Sequence, residues 1–147
     1  MSVRARILLD TNVLSELMRP RPEPAVLAWF AALAPQTRFV ISAITQAEIL
    51  LGIALLPAGK KRATLADVAR AMFEQEFQGM NLPFDEHAAP RYAALVALRS
   101  RKGSPMSVED AQIAAIAVHH AVPLATRSTR DFALVPGLTL INPWEHA

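Results

Sequence analysis

Asp10 ends the apolar run Ile7-Leu8-Leu9 and is followed at once by Thr11 and Asn12. Glu48 sits among Ile44, Ala47, Ile49, Leu50 and Leu51. Asp110 precedes the most apolar stretch of the chain, Ile113 to Val118. An acid in such surroundings costs free energy unless it is paired, hydrated or bound to a cation. Asp131 follows Thr126-Arg127-Ser128-Thr129-Arg130, just past another short apolar run. Carboxylates brought to one place raise one another's pKa or take a cation between them. Their hard oxygens suit Mg2+ or Mn2+ rather than zinc or copper. Such an ion keeps several waters, binds one or two carboxylates plus a substrate phosphate, and activates water for attack on phosphorus. No covalent nucleophile competes, because the chain has no Cys, no Gly-x-Ser-x-Gly and no Walker sequence.

Each acid also has a structural role open to it. Asp is a favoured helix cap, so Asp10 could simply cap the helix that follows. Thr45-x-x-Glu48 and Ser107-x-x-Asp110 both match a capping box. If Ser42 caps the Glu48 helix instead, Glu48 falls in the second turn and is free to point over the sheet edge. Glu109 rivals Asp110, about 100° away around the helix. Asp110 shares the side of Ile113 and Ala114, so Glu109 is expected to look outward. Asp131 could cap a short helix or pair with an arginine. The four histidines are not expected to act in catalysis. His119 and His120 end a helix, where a cationic imidazole suits the dipole. His87 begins another helix and His146 is next to the C-terminus.

The elements that must position these acids follow from periodicity. Residues 4–9 read as a buried strand, with a short helix over 12–18. The segment Arg19 to Pro24 is a stiff connector, and a helix over 24–34 shows Val26, Leu27, Phe30 and Leu33 on one face. Phe39-Val40-Ile41 is a second strand, and a helix runs from Ser42 to about Leu56. A helix over 60–78 carries Leu65, Val68, Met72 and Phe73 on one side, stopped by Gly79. Met80 to Phe84 is a weak strand, interrupted by Pro83. Helices over 85–101 and 108–120 follow, the second apolar nearly all round and therefore buried. Pro123 to Thr126 and Leu138 to Ile141 are the last strands. This alternation implies βαβ units and a parallel sheet with helices on both faces. At the C-terminal edge of such a sheet ligands bind, and Asp10 falls there.

The 147 residues fit a single domain over 1–147, and 52% hydrophobic content supplies a core. The absence of cysteine rules out disulfide frameworks and Cys-based zinc sites and is compatible with a reducing cytoplasm, the expected compartment. No run approaches the ~20 apolar residues that span a bilayer, so no membrane association is expected. A formal net charge of +2 says little about partners. The basic clusters Lys60-Lys61-Arg62, Arg99-Arg101-Lys102 and Arg127-Arg130 read individually as solvated faces.

Taken together, the motifs resemble a known family. Leu8-Leu9-Asp10-Thr11-Asn12-Val13-Leu14-Ser15-Glu16-Leu17 resembles the opening of PIN-domain ribonucleases, most closely the VapC/FitB-like toxins of bacterial toxin–antitoxin pairs. Ser42-x-x-Thr45-x-x-Glu48-Ile49-x-x-Gly52 resembles their second motif, and Glu109-Asp110-Ala111-Gln112-Ile113-Ala114-Ala115 their third. Thr126-Arg127-x-x-Arg130-Asp131-Phe132 followed by Ile141-Asn142-Pro143-Trp144 resembles the close of the FitB-like branch. The four motifs occur in order over nearly the whole chain.

The resemblance implies a three-layer α/β/α sandwich around a mostly parallel sheet, and Mg2+- or Mn2+-dependent cleavage of RNA phosphodiesters. It carries over Asp10, Glu48 and Asp110 as metal ligands and water activators; in the nuclease reading Asp10 and Asp110 bind the ion directly, and Glu48 directly or through water. It also implies a homodimer, an inhibiting antitoxin, a larger toxin–antitoxin assembly, and operator DNA bound through the antitoxin. Thr11 and Asn12 are expected to orient Asp10 or a water, and Arg127 and Arg130 to contact phosphates. Many PIN domains carry an acid or Asn two residues after the last motif Thr. Here that place is Ser128, which could hold a metal-bound water, and Asp131 is the nearest acid to replace or supplement the missing one.

Two other functions compete. A catalytically inactive PIN-fold protein would bind antitoxin and operator DNA without turnover, and Ser128 gives it some support. A haloacid-dehalogenase-like phosphatase needs an Asp-x-Asp pair after the first strand, and Asn12 stands at its third position.

Overall fold

The computed structural model describes residues 5–146. Strand β1 (Ala5–Leu9) carries the fully buried Leu8 and Leu9 and is the middle of the sheet. Strands β2 (Thr37–Ser42), β3 (Asn81–Leu82), β4 (Leu124–Ala125) and β5 (Leu140–Ile141) run parallel to it in the order β3-β2-β1-β4-β5. Ile7 pairs with Phe39 on one side, and Leu9 with Ala125 on the other. The chain works outward from β1 to β3, then returns to the opposite side of β1. The gap between the C-terminal ends of β1 and β4 is therefore the switch point where open α/β sheets bind ligands.

Six α-helices among the described residues cover the two faces. Helices α1 (Thr11–Leu17), α2 (Pro24–Leu33), α3 (Ala43–Ala54) and α4 (Lys60–Ala71) share one core with Ile7, Leu9, Phe39, Ile41 and Ala125. Helices α5 (Ala89–Arg101) and α6 (Val108–His120) share the other with Leu8, Val40, Leu124 and Phe132. Alternate side chains of each strand enter opposite cores, as the pleat requires. The result is the expected α/β/α sandwich with a parallel sheet. No helix among the described residues is long and apolar enough to cross a membrane.

Local chemistry explains where the elements begin and end. Pro24 opens α2 at a position where its missing N–H is not needed. Ser42 Oγ accepts the Thr45 N–H at 3.1 Å, and Ser107 Oγ accepts the Asp110 N–H at 3.1 Å, so these two serines cap α3 and α6. Helix α6 buries Ala111 and Ile113 through Ala117, as its apolar sequence demands.

Several boundaries and faces differ from expectation. The expected start of the first strand at residue 4 lies outside the described residues. The helix expected over 60–78 is α-helical to Ala71 and continues as a π turn over Met72–Glu76. The helix expected from residue 85 starts at Ala89, because the Asp85 side chain accepts the N–H groups of His87 and Ala88 and closes a turn first. His87 thus lies in a turn. On α2, Trp29 is buried while Leu27 faces out at 44% exposure, and on α4 Ala69 is buried while Val68 faces out. In both helices the packed side follows i, i+3 or i+4, i+7 spacing from residues 26 and 65.

Arg99 overturns its assignment to a solvated cluster. It is buried, and its guanidinium donates to Ser104 O at 2.7 Å, Ser104 Oγ at 3.2 Å, Asp131 O at 3.3 Å and Ala133 O at 3.4 Å. No carboxylate partner is needed, because carbonyl and hydroxyl oxygens replace its water. Arg99 ties the loop before α6 to the turn that follows Ser128.

Candidate active site

Asp10 sits at the end of β1, where its N–H donates to Ala125 O of β4 at 2.9 Å. Its carboxylate is buried, with Oδ1 accepting the Thr11 N–H at 2.8 Å and Oδ2 accepting the Thr126 hydroxyl at 2.7 Å. Asp10 therefore both caps α1 and faces the switch point. Burial pushes its pKa from 3.8 to about 6, reinforced by the Asp110 and Glu48 charges and opposed by the two hydrogen bonds.

Glu48 is not locked in a capping box. Its Oε1 accepts the Thr11 hydroxyl at 2.7 Å, and Thr11 Oγ1 lies 2.9 Å from Thr45 Oγ1. Thr11 has one hydroxyl proton, so donating to Glu48 makes Thr45 its donor, and Ser42 Oγ donates to Thr45 in turn at 3.4 Å. A hydroxyl chain from the end of β2 thus fixes Glu48 beside α1.

Asp110 is half-buried and Glu109 exposed, as the helix phase predicts. Burial raises the Asp110 pKa, and the charges of Asp131 and Glu48 add to it while a hydrogen bond with Ser107 opposes it.

Asp10, Glu48 and Asp110 line one cleft of about 530 Å³. Thr11, Asn12, Ser128 and Arg127 line it as well. Asn12 Nδ2 donates to Ser128 Oγ at 3.0 Å, and its Oδ1 accepts the Arg127 N–H at 3.2 Å. Asn12 therefore sets the 126–128 turn rather than touching Asp10. Asp131 and Arg130 are exposed and do not line the cleft. Asp131 donates its N–H to Ser128 O at 3.0 Å, and its charge reaches the site through its effect on Asp110.

Ser15, Glu16, Arg19 and Trp144 also line the cleft, and sequence reasoning assigned them no part. Asn12, Ser15, Glu16 and Arg19 follow i, i+3, i+4, i+7 spacing, so extending the α1 face from Asn12 was a usable signal. Glu16 is buried; it accepts from Arg19 and from the Glu23 N–H at 3.0 Å. Trp144 is brought in from the far end of the chain by pairing of β5 with β4, and helical spacing cannot reveal it.

The donor set fits a hard divalent cation. Among the described residues no three carboxylate or imidazole side chains close around one point as a complete ion cage. Mg2+ does not require one, since it takes one or two carboxylates and fills the rest with water and phosphate. The cleft provides two carboxylates with raised pKa values, Asp10 and Asp110, and room for a hydrated ion.

Residues 7–138 match the PIN domain. VapC ribonuclease Y4jK of Sinorhizobium fredii is 43% identical over 141 residues, covering 96% of this chain and 99% of its own. Toxin FitB of Neisseria gonorrhoeae is 41% identical over 138 residues, 94% of this chain and 98% of its own. The solved structure of FitAB bound to the IR36 DNA fragment matches with a TM-score of 0.86 at 40% identity, covering 96% of this chain and 97% of that one. VapBC2 from Rickettsia felis, solved on a promoter DNA fragment, shares the fold at a TM-score of 0.76 and 22% identity over 93% of this chain and 98% of that one. The matched span takes in the three clustered acids and the turn from Thr126 to Asp131, and the chain belongs to the PIN-domain family.

Proposed function

We propose that this protein is a metal-dependent endoribonuclease, the toxin of a toxin–antitoxin pair. The observation that carries the proposal is the placement of Asp10, Glu48 and Asp110 in one cleft at the switch point, with burial raising the pKa of Asp10 to about 6. Asp10 and Asp110 are the residues to hold Mg2+ or Mn2+. When bound, such an ion supplies an activated water and neutralises charge on the phosphoryl group. Thr11 and Thr126 fix the orientation of Glu48 and Asp10 through their hydroxyls. Glu48, which Thr11 holds at the cleft wall, would serve as the proton acceptor. Arg127 offers its guanidinium to the RNA backbone, which an all-acid cleft would repel. Ser128, tied to Asn12, takes a hydrogen-bonding role where many PIN domains carry an acid, and Asp131 acts as a nearby charge.

A second groove supports the antitoxin partnership. It has a volume of about 330 Å³, is lined by Met18, Ile49, Ile53, Leu56 and Leu65, and shares Thr11, Arg19 and Glu48 with the acidic cleft. A peptide lying in it reaches the acids, which suits inhibition by an antitoxin segment. The FitAB structure on the IR36 DNA fragment, 40% identical to this chain, favours the same partnership, and binding of operator DNA through the antitoxin belongs to the proposal. Leu51 on the outer side of α3 and Leu55 just past its end are 59% and 75% exposed, apolar surface that a second copy would cover in a homodimer.

Incubating purified protein with total RNA, with Mn2+, with chelator and as Asp10→Asn, tests the proposal. Cleavage that requires both metal and Asp10 is expected, with loss of about a hundredfold or more in the variant. Folded, antitoxin-free protein that neither binds Mn2+ nor cleaves would favour the inactive, antitoxin-binding alternative.

A further inference from the structure

Two cations line the acidic cleft, and each is held by a partner outside the acid cluster. Arg19 Nη1 donates to both carboxylate oxygens of Glu16 at 3.2 Å. Arg127 makes no ion pair among the described residues. Its guanidinium carbon lies 5.0 Å from the centroid of the Trp144 ring, within the range of cation–π attraction.

This arrangement needs an explanation. An arginine free to swing beside Asp10, Glu48 and Asp110 would settle on them, because opposite charges attract, most strongly at the buried Asp10 and half-buried Asp110. A guanidinium also matches a carboxylate with paired N–H donors. Such a contact would occupy the oxygens a divalent ion needs and withdraw the cation from phosphate. Arg127 is restrained at two points. Its N–H donates to Asn12 Oδ1 at 3.2 Å, which fixes the backbone, and the indole holds the side chain. Trp144 is itself fixed. Its backbone N–H donates to Asn142 Oδ1 at 3.0 Å, the preceding Pro143 is buried, and the ring packs against the core shared by β1 and α1.

We propose that Trp144 is a positioning residue whose ring holds the Arg127 guanidinium off the cleft carboxylates, leaving the acids open to a divalent cation and Arg127 open to phosphate. The inference rests on the nuclease reading above.

Mn2+ affinity of the full chain, measured by calorimetry without RNA, tests it in wild type, Trp144→Leu, Trp144→Phe, Arg127→Gln and Trp144→Leu combined with Arg127→Gln. Loss of the ring is expected to weaken Mn2+ binding by about threefold or more, in line with one exposed cation–π contact. Trp144→Phe keeps a π face and is expected to stay close to wild type. Arg127→Gln in the Leu background is expected to restore the affinity, because the displaced cation is gone. A ring that only filled the core would leave Arg127→Gln with the same gain in affinity in the Leu background as in the wild-type background, whereas a larger gain in the Leu background is expected here. Unchanged affinity in Trp144→Leu, a loss without repair, or an equal gain in both backgrounds overturns the proposal. Should Trp144→Leu unfold, Trp144→Met against Trp144→Phe gives the same ringless-versus-ring comparison. Wild-type protein that takes up no Mn2+ overturns the nuclease reading and this inference with it, whereas Mn2+ binding indifferent to Trp144 overturns the inference alone.

Discussion

The Thr126 hydroxyl donates to Asp10 Oδ2 at 2.7 Å across a sequence separation of 116 residues. Thr126 Oγ1 itself accepts the Ser128 N–H at 2.9 Å, so one buried threonine joins the first acid of the chain to its last site turn. The bond stabilises the ionised carboxylate and holds its pKa down against burial. Thr126→Val, nearly the same shape, removes both bonds. The Asp10 pKa is expected to rise beyond about 6. The acid limb of the cleavage pH profile should then move upward, and near-neutral activity should fall by about tenfold for each pH unit moved. Leaving the Ser128 N–H without its partner should lower stability by roughly 1–3 kcal/mol. A pH–rate profile with denaturant unfolding checks both, and an unmoved acid limb would show that Thr126 only braces the turn.

The raised pKa of Asp10 also predicts how stability depends on pH. In the metal-free protein Asp10 titrates at about 6, against 3.8 in the unfolded chain. Its contribution to stability is therefore fully present below pH 3.8 and is lost as pH rises through about 6. At pH 7.5 the ionised, buried carboxylate costs roughly 3 kcal/mol. Asp10→Asn removes the charge but cannot accept the Thr126 hydroxyl with its amide nitrogen. A net gain of about 1–2 kcal/mol over wild type is expected at pH 7.5, shrinking toward pH 4. Unfolding in chelator at both pH values measures the difference, and a gain independent of pH would contradict it.

Much of this site was legible because its acids stand where apolar runs stop. Asp10 after Ile7-Leu8-Leu9 marks a strand end, and the phase of α6 separates the half-buried Asp110 from the exposed Glu109. The choice between Ser42 and Thr45 as the α3 cap could not be made from spacing alone, since both satisfy the local pattern. The Thr45 N–H donated to Ser42 Oγ decides it and leaves Glu48 free to accept from Thr11. The burial of Arg99 is hidden from the sequence for a related reason. Its burial depends on carbonyls of the loops at Ser104 and Ala133, which no periodicity displays. Trp144 reaches the cleft through the pairing of β5 with β4, each only two residues long, and so small a strand gives the sequence almost no signal.

Asp131 separates an acid that touches the site from one that acts at a distance. It is exposed, it does not line the cleft, and its charge raises the pKa of Asp110. Removing that charge with Asp131→Asn should therefore lower the Asp110 pKa and extend activity to slightly lower pH. Screening by solvent and salt keeps such an effect small, so cleavage near pH 8 is expected to stay within about threefold of wild type. Ser128→Ala should cost more, because it removes the partner of Asn12 and loosens the turn that carries Arg127. The two variants are compared by initial cleavage rates at several pH values and two salt concentrations. A loss in Asp131→Asn as deep as that of Asp10→Asn would place Asp131 on the metal itself, in the position that Ser128 leaves without an acid.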